Sequence, residues 1–440
     1  MRLAEHSYRT ITSVRGPLLF VEGVFGARIG EVVGVEFPDG AGATGEVLKI
    51  TGNAVLIQVF GETAGLDIDA TVVFTDSVRQ VPLSRKALGR VFNGSFAPID
   101  GAPMYIPERW GTVSGLPLNP TARARPEEFI ETGYTAIDLL NTLVKGQKLP
   151  IFSNAGLPSL ELAAGILRNA RLSGGGAFAV VFVALGLTHR EYSFYMEVLS
   201  EMHTGFVAFV NRADEPVVER LLAPRFGLTC AEYLAFACGM DVLVLVTDMT
   251  NYCDALREVS TAREELPGRR GYPGYMYSDL ASLYERAGRI GGESGSVTMI
   301  PVLTMPEDDI THPIPDLTGY ITEGQIVLSR ELHQQGVFPP IDVLPSLSRL
   351  MQRGIGAGRT RADHREVADR LYRHYAKGRD LRRLEAIVGR EGMLAADRQL
   401  LSFAEAFERE LVHQGTLRRE IGGSLDAGID LLQRFSLEDS

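Results

Sequence analysis

The chain has 440 residues, with 44 Lys and Arg against 55 Asp and Glu and a formal charge of -11. That length allows about three domains at ~150 residues each, and the acidic balance argues against a general polyanion binder, which would carry a basic face. Three cysteines, Cys230, Cys238 and Cys253, show neither C-x-x-C spacing nor the even count of a disulfide framework, so reduced thiols in a cytoplasmic protein are the simplest expectation.

The first residues, MRLAEHSYRT, lack an apolar signal core. From about 9 to 75, short strands (TITSVRGPLLFVEG, GEVVGVEF, GEVLKI, NAVLIQVF, TVVFT) alternate with the turn segments PDGAG and TGN. This spacing predicts a small β-barrel or sandwich over 1–77. The next stretch, 78–124, is rich in Pro and Gly (NGSFAPIDGAP, SGLPLNPTARARP) and reads as a linker passing along a surface. Apolar strands then alternate with helical patterns: LPIF, AFAVVFVAL, GFVAFVNR, DVLVLVTD and SVTMIPVLTM, with segments such as REYSFYMEVLSEMH between them. Near-continuous apolar strands separated by helices predict a mostly parallel sheet covered on both faces, a central α/β domain over 78–352 that includes the linker. Beyond Arg353, HREVADRLYRHYAKGRDLRRLEAIVG and RQLLSFAEAFERELVHQG carry helical periodicity and many charges, predicting a helical domain over 353–440. The longest apolar runs, such as AFAVVFVALGL, fall short of the ~20 residues a membrane helix needs, so no direct membrane insertion is expected.

The stretch IFSNAGLPSLELAAGILR (151–168) has the outline of a phosphate-binding loop without its ligands. Such a loop reads G-x-x-x-x-G-K-[ST], because glycines let backbone N–H groups approach phosphate, lysine neutralises it and the hydroxyl ligates magnesium. Here those four positions hold Ser153, Pro158, Ser159 and Leu160. Pro158 brings no N–H, Ser159 is neutral where a cation is wanted, and Leu160 cannot touch magnesium. An ordinary strand-turn-helix accounts for the segment equally well. Asp248, at the tip of DVLVLVTD, stands where nucleotide hydrolases hold the magnesium water shell, or where a helix N-cap would sit. GIGAGRT (354–360) mimics a phosphate loop, but the position five before Gly358 is Arg353 and no strand precedes it, so it is read as a decoy. The eight histidines form no ligand cluster, and no metal is expected. GRRGYPGYMY (268–277), with its arginines and tyrosines, is one short patch in an acidic chain and is read as a loop or protein interface, with no nucleic acid as partner.

The runs ETGYTAIDLLNTLVKGQKLPIFSNAGLP, TDMTNYCDALREVSTAREELPGRRGYPGYMYSDLASLYERAG, THPIPDLTGYITEGQI and LPSLSRLMQRGIGAGRTRADH resemble the B subunit of V/A-type rotary ATPases and ATP synthases, from RGPLLFVEG to FAEAFERE. The resemblance implies a RecA-like nucleotide fold in the central domain. It further implies a hexameric ring in which this noncatalytic, regulatory B chain alternates with a catalytic A chain around a rotating shaft, with a peripheral stalk meeting the N-terminal domain. Mg-ATP or ADP would lie at the interface with the catalytic chain, with no cofactor bound firmly by this one. The complex would be cytoplasmic and peripheral to the membrane. Catalytic relatives carry a glutamate after the second core strand, where this chain has Leu187, which cannot polarise water; Glu191 is about a turn further on. The resemblance points to Arg349 in LPSLSRL as an arginine finger acting in trans on the neighbouring site. It also implies shaft contacts near Arg269, Arg270 and Tyr272 and at Arg390 and Glu391. Asn154, Ser159 and Leu160 depart from the glycine and polar pair often found in B chains, leaving the degenerate loop (Ser153, Asn154, Gly156, Pro158, Ser159, Leu160) a doubtful nucleotide site. One alternative is a self-contained hexameric ATPase, which Ser159 and Leu187 contradict; another is a nucleotide-sensing module that binds ATP without turnover.

Overall fold

The structure, a computed structural model, describes residues 6–60, 66–172 and 174–436. Seven N-terminal strands, β1 (His6–Tyr8), β2 (Ile11–Arg15), β3 (Leu18–Val21), β4 (Glu31–Glu36), β5 (Gly42–Thr51), β6 (Ala54–Phe60) and β7 (Thr71–Val78), form an antiparallel sheet in the order β1-β7-β4-β5-β6-β3-β2. Alternate residues point inward, so that Val33 and Val35 of β4, Val55, Ile57 and Val59 of β6, and Val72 and Phe74 of β7 make one core. This is the β-barrel that the period-two pattern predicts.

The 78–124 stretch is more than the surface linker its composition suggests. Its strand β8 (Arg90–Asn93) adds in parallel to the edge of the central sheet, and Phe92, fully buried, stacks on Phe209 at 5.4 Å. Arg90 grips Asp100 through Nε and Nη2, at 2.5 and 3.0 Å, and Val91 N–H donates to the same carboxylate. The Arg90 hydrogen bonds hold the Asp100 carboxyl at about 2, below its ordinary 3.8. A depressed folded-state pKa stabilises the fold above the unfolded value, and that contribution disappears as pH falls from about 4 through 2. That contribution is shared by Arg90 and the Val91 and Ala102 N–H groups and, screened by water at this site, is on the order of 1 kcal/mol at neutral pH. Urea unfolding of Asp100→Asn is therefore expected to show that loss at pH 7 and a flatter acid limb between pH 4 and 2.

The central sheet continues with β9 (Ile151–Asn154), β10 (Phe178–Leu187), β11 (Gly205–Arg212), β12 (Asp241–Thr247), β13 (Ser296–Met305), β14 (Gly324–Leu328) and β15 (Ile341–Ser348), in the order β15-β14-β9-β13-β12-β10-β11-β8. These pairings are parallel except β14 with β15. Buried on both faces, β10 sends Val180, Phe182 and Ala184 to one side and Ala179, Val181 and Val183 to the other. Helices α1 (Ser159–Asn169) and α2 (His189–Ser200) cover the first side, and α3 (Val217–Glu232) and α4 (Met249–Ala262) the second. The C-terminal helices α5 (His364–Val388), α6 (Ala395–Ala406) and α7 (Ile421–Phe435) extend the first core: Leu371, Tyr375, Phe403 and Leu431 belong to the same cluster as Phe182. Among the described residues, no helix is long and apolar enough to cross a membrane.

Candidate functional site

In a parallel sheet, ligands meet the carboxyl ends of the strands, and there the turn between β9 and α1 faces the end of β12. Asn154, Gly156, Ser159, Leu160, Leu187, Glu191, Asp248 and Thr304 line one cleft of about 230 Å³. The structure thus brings together most of the residues singled out for the degenerate loop. Gly156 takes φ +79°, the left-handed conformation that makes the turn. Pro158 is the N-cap residue, one position before α1, and Ser153 is buried with its hydroxyl donating to the Asn154 carbonyl at 3.1 Å. Neither side chain lines the cleft. Arg330 closes over the loop, its Nη2 donating to the Ala155 carbonyl at 3.1 Å and to Asp308 at 2.7 Å. The loop is held by protein contacts, and among the described residues no lysine lines the cleft.

Asp248 caps a helix and also stands at the wall of the cleft. Its Oδ1 accepts from Thr250 N–H at 2.7 Å and so caps α4, and its Oδ2 accepts from Thr304 Oγ1 at 2.6 Å, at the wall of the cleft. Burial pushes this carboxyl above its ordinary range against those hydrogen bonds. Leu187, 3% exposed, closes the second strand with an apolar wall. Glu191 also reaches the cleft, but its carboxylate accepts from the N–H and hydroxyl of Thr188 at 2.8 and 2.9 Å, completing a capping box on α2. A carboxylate occupied in this way is a poor base for water. The donor set does not fit a magnesium–triphosphate: it lacks the lysine, the metal-binding hydroxyl and the free glutamate.

Arg349 lies elsewhere. It follows β15, whose Ser348 pairs with Gly324, while Ile326 of β14 pairs with Ile151. Counting along the strands at ~3.3 Å per residue puts Arg349 and the loop at opposite ends of the sheet, about 20 Å apart. Gly324 allows β15 to pack this closely: at φ +137° a Cβ there would stand 2.0 Å from the Leu347 carbonyl oxygen. Arg349 is exposed and, among the described residues, has no carboxylate within ion-pair distance; its Nη1 reaches only the Thr322 carbonyl, at 3.5 Å. Its backbone is firmly placed. Arg349 N–H donates to the Glu323 carbonyl at 3.0 Å, and the Glu323 carboxylate is held by Lys148 Nζ at 2.8 Å and Lys148 N–H at 2.8 Å. Lys148, 2% exposed, also pairs with Glu285 at 2.9 Å. Gln147 Nε2 donates to Ser348 Oγ at 2.9 Å. Sequence reasoning missed Lys148, Glu323 and Arg330, because a buried lysine inside KGQKLP looks like any surface lysine.

Of the residues expected at the shaft, Arg269 and Arg270 are exposed, pairing with Asp316 at 3.5 Å and Asp309 at 3.0 Å. Tyr272 does not belong with them: it is 3% exposed, donates to Asp254 at 2.9 Å and lies under the Arg257 guanidinium, so it supports the loop from within. Arg390 and Glu391 are exposed at the tip between α5 and α6, where Arg390 holds Glu405 at 3.0 Å, and Ile387 and Leu394 beside them are 81% and 73% exposed. GIGAGRT is a turn tied to α5, its Thr360 hydroxyl accepting from Gly356 N–H at 2.9 Å and meeting His364 Nδ1 at 3.0 Å. Cys230 and Cys253 are buried free thiols, Cys230 pushed up to about 12 by burial, and Cys238 is half-buried. Among the described residues, no group of three or more His, Cys, Asp or Glu is placed to hold a metal ion.

A barrel, a doubly covered sheet with a loop at its carboxyl edge, and a helical domain sharing the sheet's core define a nucleotide-fold protein whose loop does not carry the G-x-x-x-x-G-K-[ST] residues. Residues 11–76 match the beta-barrel domain of the ATP synthase alpha/beta family, 133–348 its nucleotide-binding domain, and 353–439 the C-terminal domain of V and A type ATP synthase. The chain is 79% identical over 438 residues, covering 100% of each chain, to the V-type ATP synthase beta chain of Geotalea uraniireducens (strain Rf4). It is 38% identical to the ATP synthase subunit NeqB of Nanoarcheaum equitans, covering 96% of this chain and 100% of that one with a TM-score of 0.76. The chain belongs to the ATP synthase alpha/beta family, in its V and A type branch, and is a rotary-ATPase subunit.

Proposed function

We propose that this chain is the noncatalytic, regulatory B subunit of a V/A-type ATPase or ATP synthase. It alternates with catalytic A subunits in a hexameric ring, donates Arg349 to the neighbouring ATP site, and couples ring closure to shaft rotation and ion transport. The observation that carries this reading is the separation of the two ends of the sheet: a loop without phosphate ligands at one, and an exposed, carboxylate-free arginine on a rigid support at the other. In a head-to-tail ring each subunit turns different surfaces to its two neighbours, which supports a role for an arginine remote from its own cleft at another chain's site. A guanidinium stays charged and can bridge two phosphate oxygens, and beside the transferring phosphoryl it stabilises charge in the transition state.

The remaining parts of the reading follow from this one. Mg-ATP or ADP sits at the interface with the A subunit, held by that subunit's ligands. Arg269, Arg270, Arg390 and Glu391 meet the shaft, the last two beside the apolar tip formed by Ile387 and Leu394. The peripheral stalk meets the barrel, and the chain reaches the membrane only through the assembled complex. Residues 1–77, 78–352 and 353–440 are its three domains. Reconstitution with the catalytic A subunit tests the reading: this chain alone hydrolyses no ATP, and adding it to the A subunit switches hydrolysis on. Mg-ATP is expected to leave the unfolding midpoint of the isolated chain unchanged. A module that binds ATP without turnover would instead gain about 2.7 kcal/mol at one hundred times its Kd.

A further inference from the structure

Between the barrel and the central domain lies a second cleft, of about 240 Å³, which shares no lining residue with the first. Glu46 of β5, Gln58 of β6 and Arg79, just after β7, line it from one side; Arg225 of α3, Arg263 at the end of α4, and Asp279 line it from the other. Charge is nearly balanced here. Arg225 pairs with Asp279 at 2.7 Å, Arg263 lies 3.7 Å from Glu265 in the adjoining wall, and Arg79 turns its Nε toward Glu46 Oε2 at 3.8 Å, within ion-pair range but too far for a hydrogen bond. Hydrogen bonding is not balanced. Arg79 Nε and Nη2, Arg263 Nε and Gln58 Nε2 are buried donors with no protein acceptor among the described residues. Gln58 is only 4% exposed, and its carbonyl oxygen is already taken by Arg263 Nη2. Buried donors left unmatched cost about 1–3 kcal/mol each.

The Nε and Nη2 atoms of Arg79 form one edge of the guanidinium. Elsewhere in this molecule that edge grips carboxylates with both nitrogens, Arg90 on Asp100 and Arg286 on Glu232 at 2.6 and 2.7 Å. The Arg79 plane is fixed by its packing over the Phe60 ring, 4.1 Å from the centroid. We propose that this cleft binds a small tetrahedral oxyanion of the phosphate type, held by the Nε–Nη2 edge of Arg79 with Arg263 and Gln58, and that binding locks the barrel against the central domain. Planar two-point contact with an oxyanion is what guanidinium geometry favours.

Glu46 makes the site sensitive to pH. Burial holds its carboxyl above the ordinary range, against the pull of Arg79, Arg225 and Arg263; the other ionisable groups around the cleft are Asp279, Glu265, Tyr252 and Tyr275. An anion beside Glu46 favours its protonated form, which no longer repels the anion and can donate to it. Anion binding therefore takes up a proton and strengthens as pH falls.

The test is calorimetric titration of the full chain with sulfate, whose charge is constant between pH 5 and 8, at fixed ionic strength in chloride. The expected result is saturable binding that tightens toward pH 5, weakens at least tenfold in Arg79→Met, and becomes tighter and independent of pH in Glu46→Gln. Inorganic phosphate should compete. Overturning results are an absence of saturable sulfate heat in wild type and in Glu46→Gln, or Arg79→Met binding as tightly as wild type while folded. The first outcome would mean water alone answers these donors; the second, an adventitious ion only.

Discussion

Rings built with Arg349→Ala in this chain are expected to hydrolyse ATP about 10³ to 10⁵ times more slowly than wild-type rings, the range removed with an arginine that neutralises a transferring phosphoryl group. Assembly should be untouched. Arg349 is exposed, and among the described residues its side chain makes one weak hydrogen bond, at 3.5 Å to the Thr322 carbonyl, so its loss opens no cavity and leaves no buried charge. Arg349→Lys should recover part of the rate and not all of it, because an ammonium supplies charge without the two-pronged edge. Turnover is read at saturating Mg-ATP on rings matched for subunit content. Rates within a few-fold of wild type for Arg349→Ala would remove the arginine from the mechanism.

Lys148→Met is expected to be among the most destabilising single changes in the central domain. It nearly preserves side-chain volume, so the effect is electrostatic. Lys148 Nζ lies between Glu285 and Glu323 at 2.9 and 2.8 Å and is 2% exposed. Removing the cation leaves Glu285 with Arg123, 2.6 Å away, but deprives Glu323 of its ion partner. Breaking a buried pair from one side costs about 3–5 kcal/mol. The low end applies here, since both carboxylates keep some contact with water. The Glu323 carbonyl accepts from Arg349 N–H, so the same change should also loosen the arginine's seat and lower turnover in assembled rings. Urea midpoints of the isolated chain measure the first effect. A shift under 1 kcal/mol would mean that water replaces the ammonium and the network is not structural.

How far the fold could be read in advance depended on how each element announces itself. DVLVLVTD became Asp241–Thr247 because an apolar run bounded by polar residues is what a strand buried on both faces requires. Strand β8 was missed because RVFN is four residues long in a segment full of turn formers, and its place in the central sheet comes from a distant partner, β11. Asp248 was legible as an acid at a strand tip, but whether it caps a helix or faces a cleft depends on a threonine 56 positions away, and the structure has both. Tyr272 could not be separated from Arg269 and Arg270 by sequence, since only packing against Arg257 and Asp254 draws it inward. Arg349 has no local signal, because an exposed arginine after a strand looks like any other; the resemblance over LPSLSRL alone singled it out. Lys148 was hidden for the converse reason, since lysine is seldom buried.

The central claim is that this subunit's chemistry leaves through its arginine end and not through its own cleft. ATP turnover of rings carrying Asp248→Asn, set beside rings carrying Arg349→Ala, tests it most directly. Asparagine can keep the Thr250 cap while removing the carboxylate from the cleft. The account predicts near wild-type turnover for Asp248→Asn and a loss of orders of magnitude for Arg349→Ala. The reverse pattern, with Asp248→Asn silent and Arg349→Ala active, would contradict it and make the cleft a working nucleotide site.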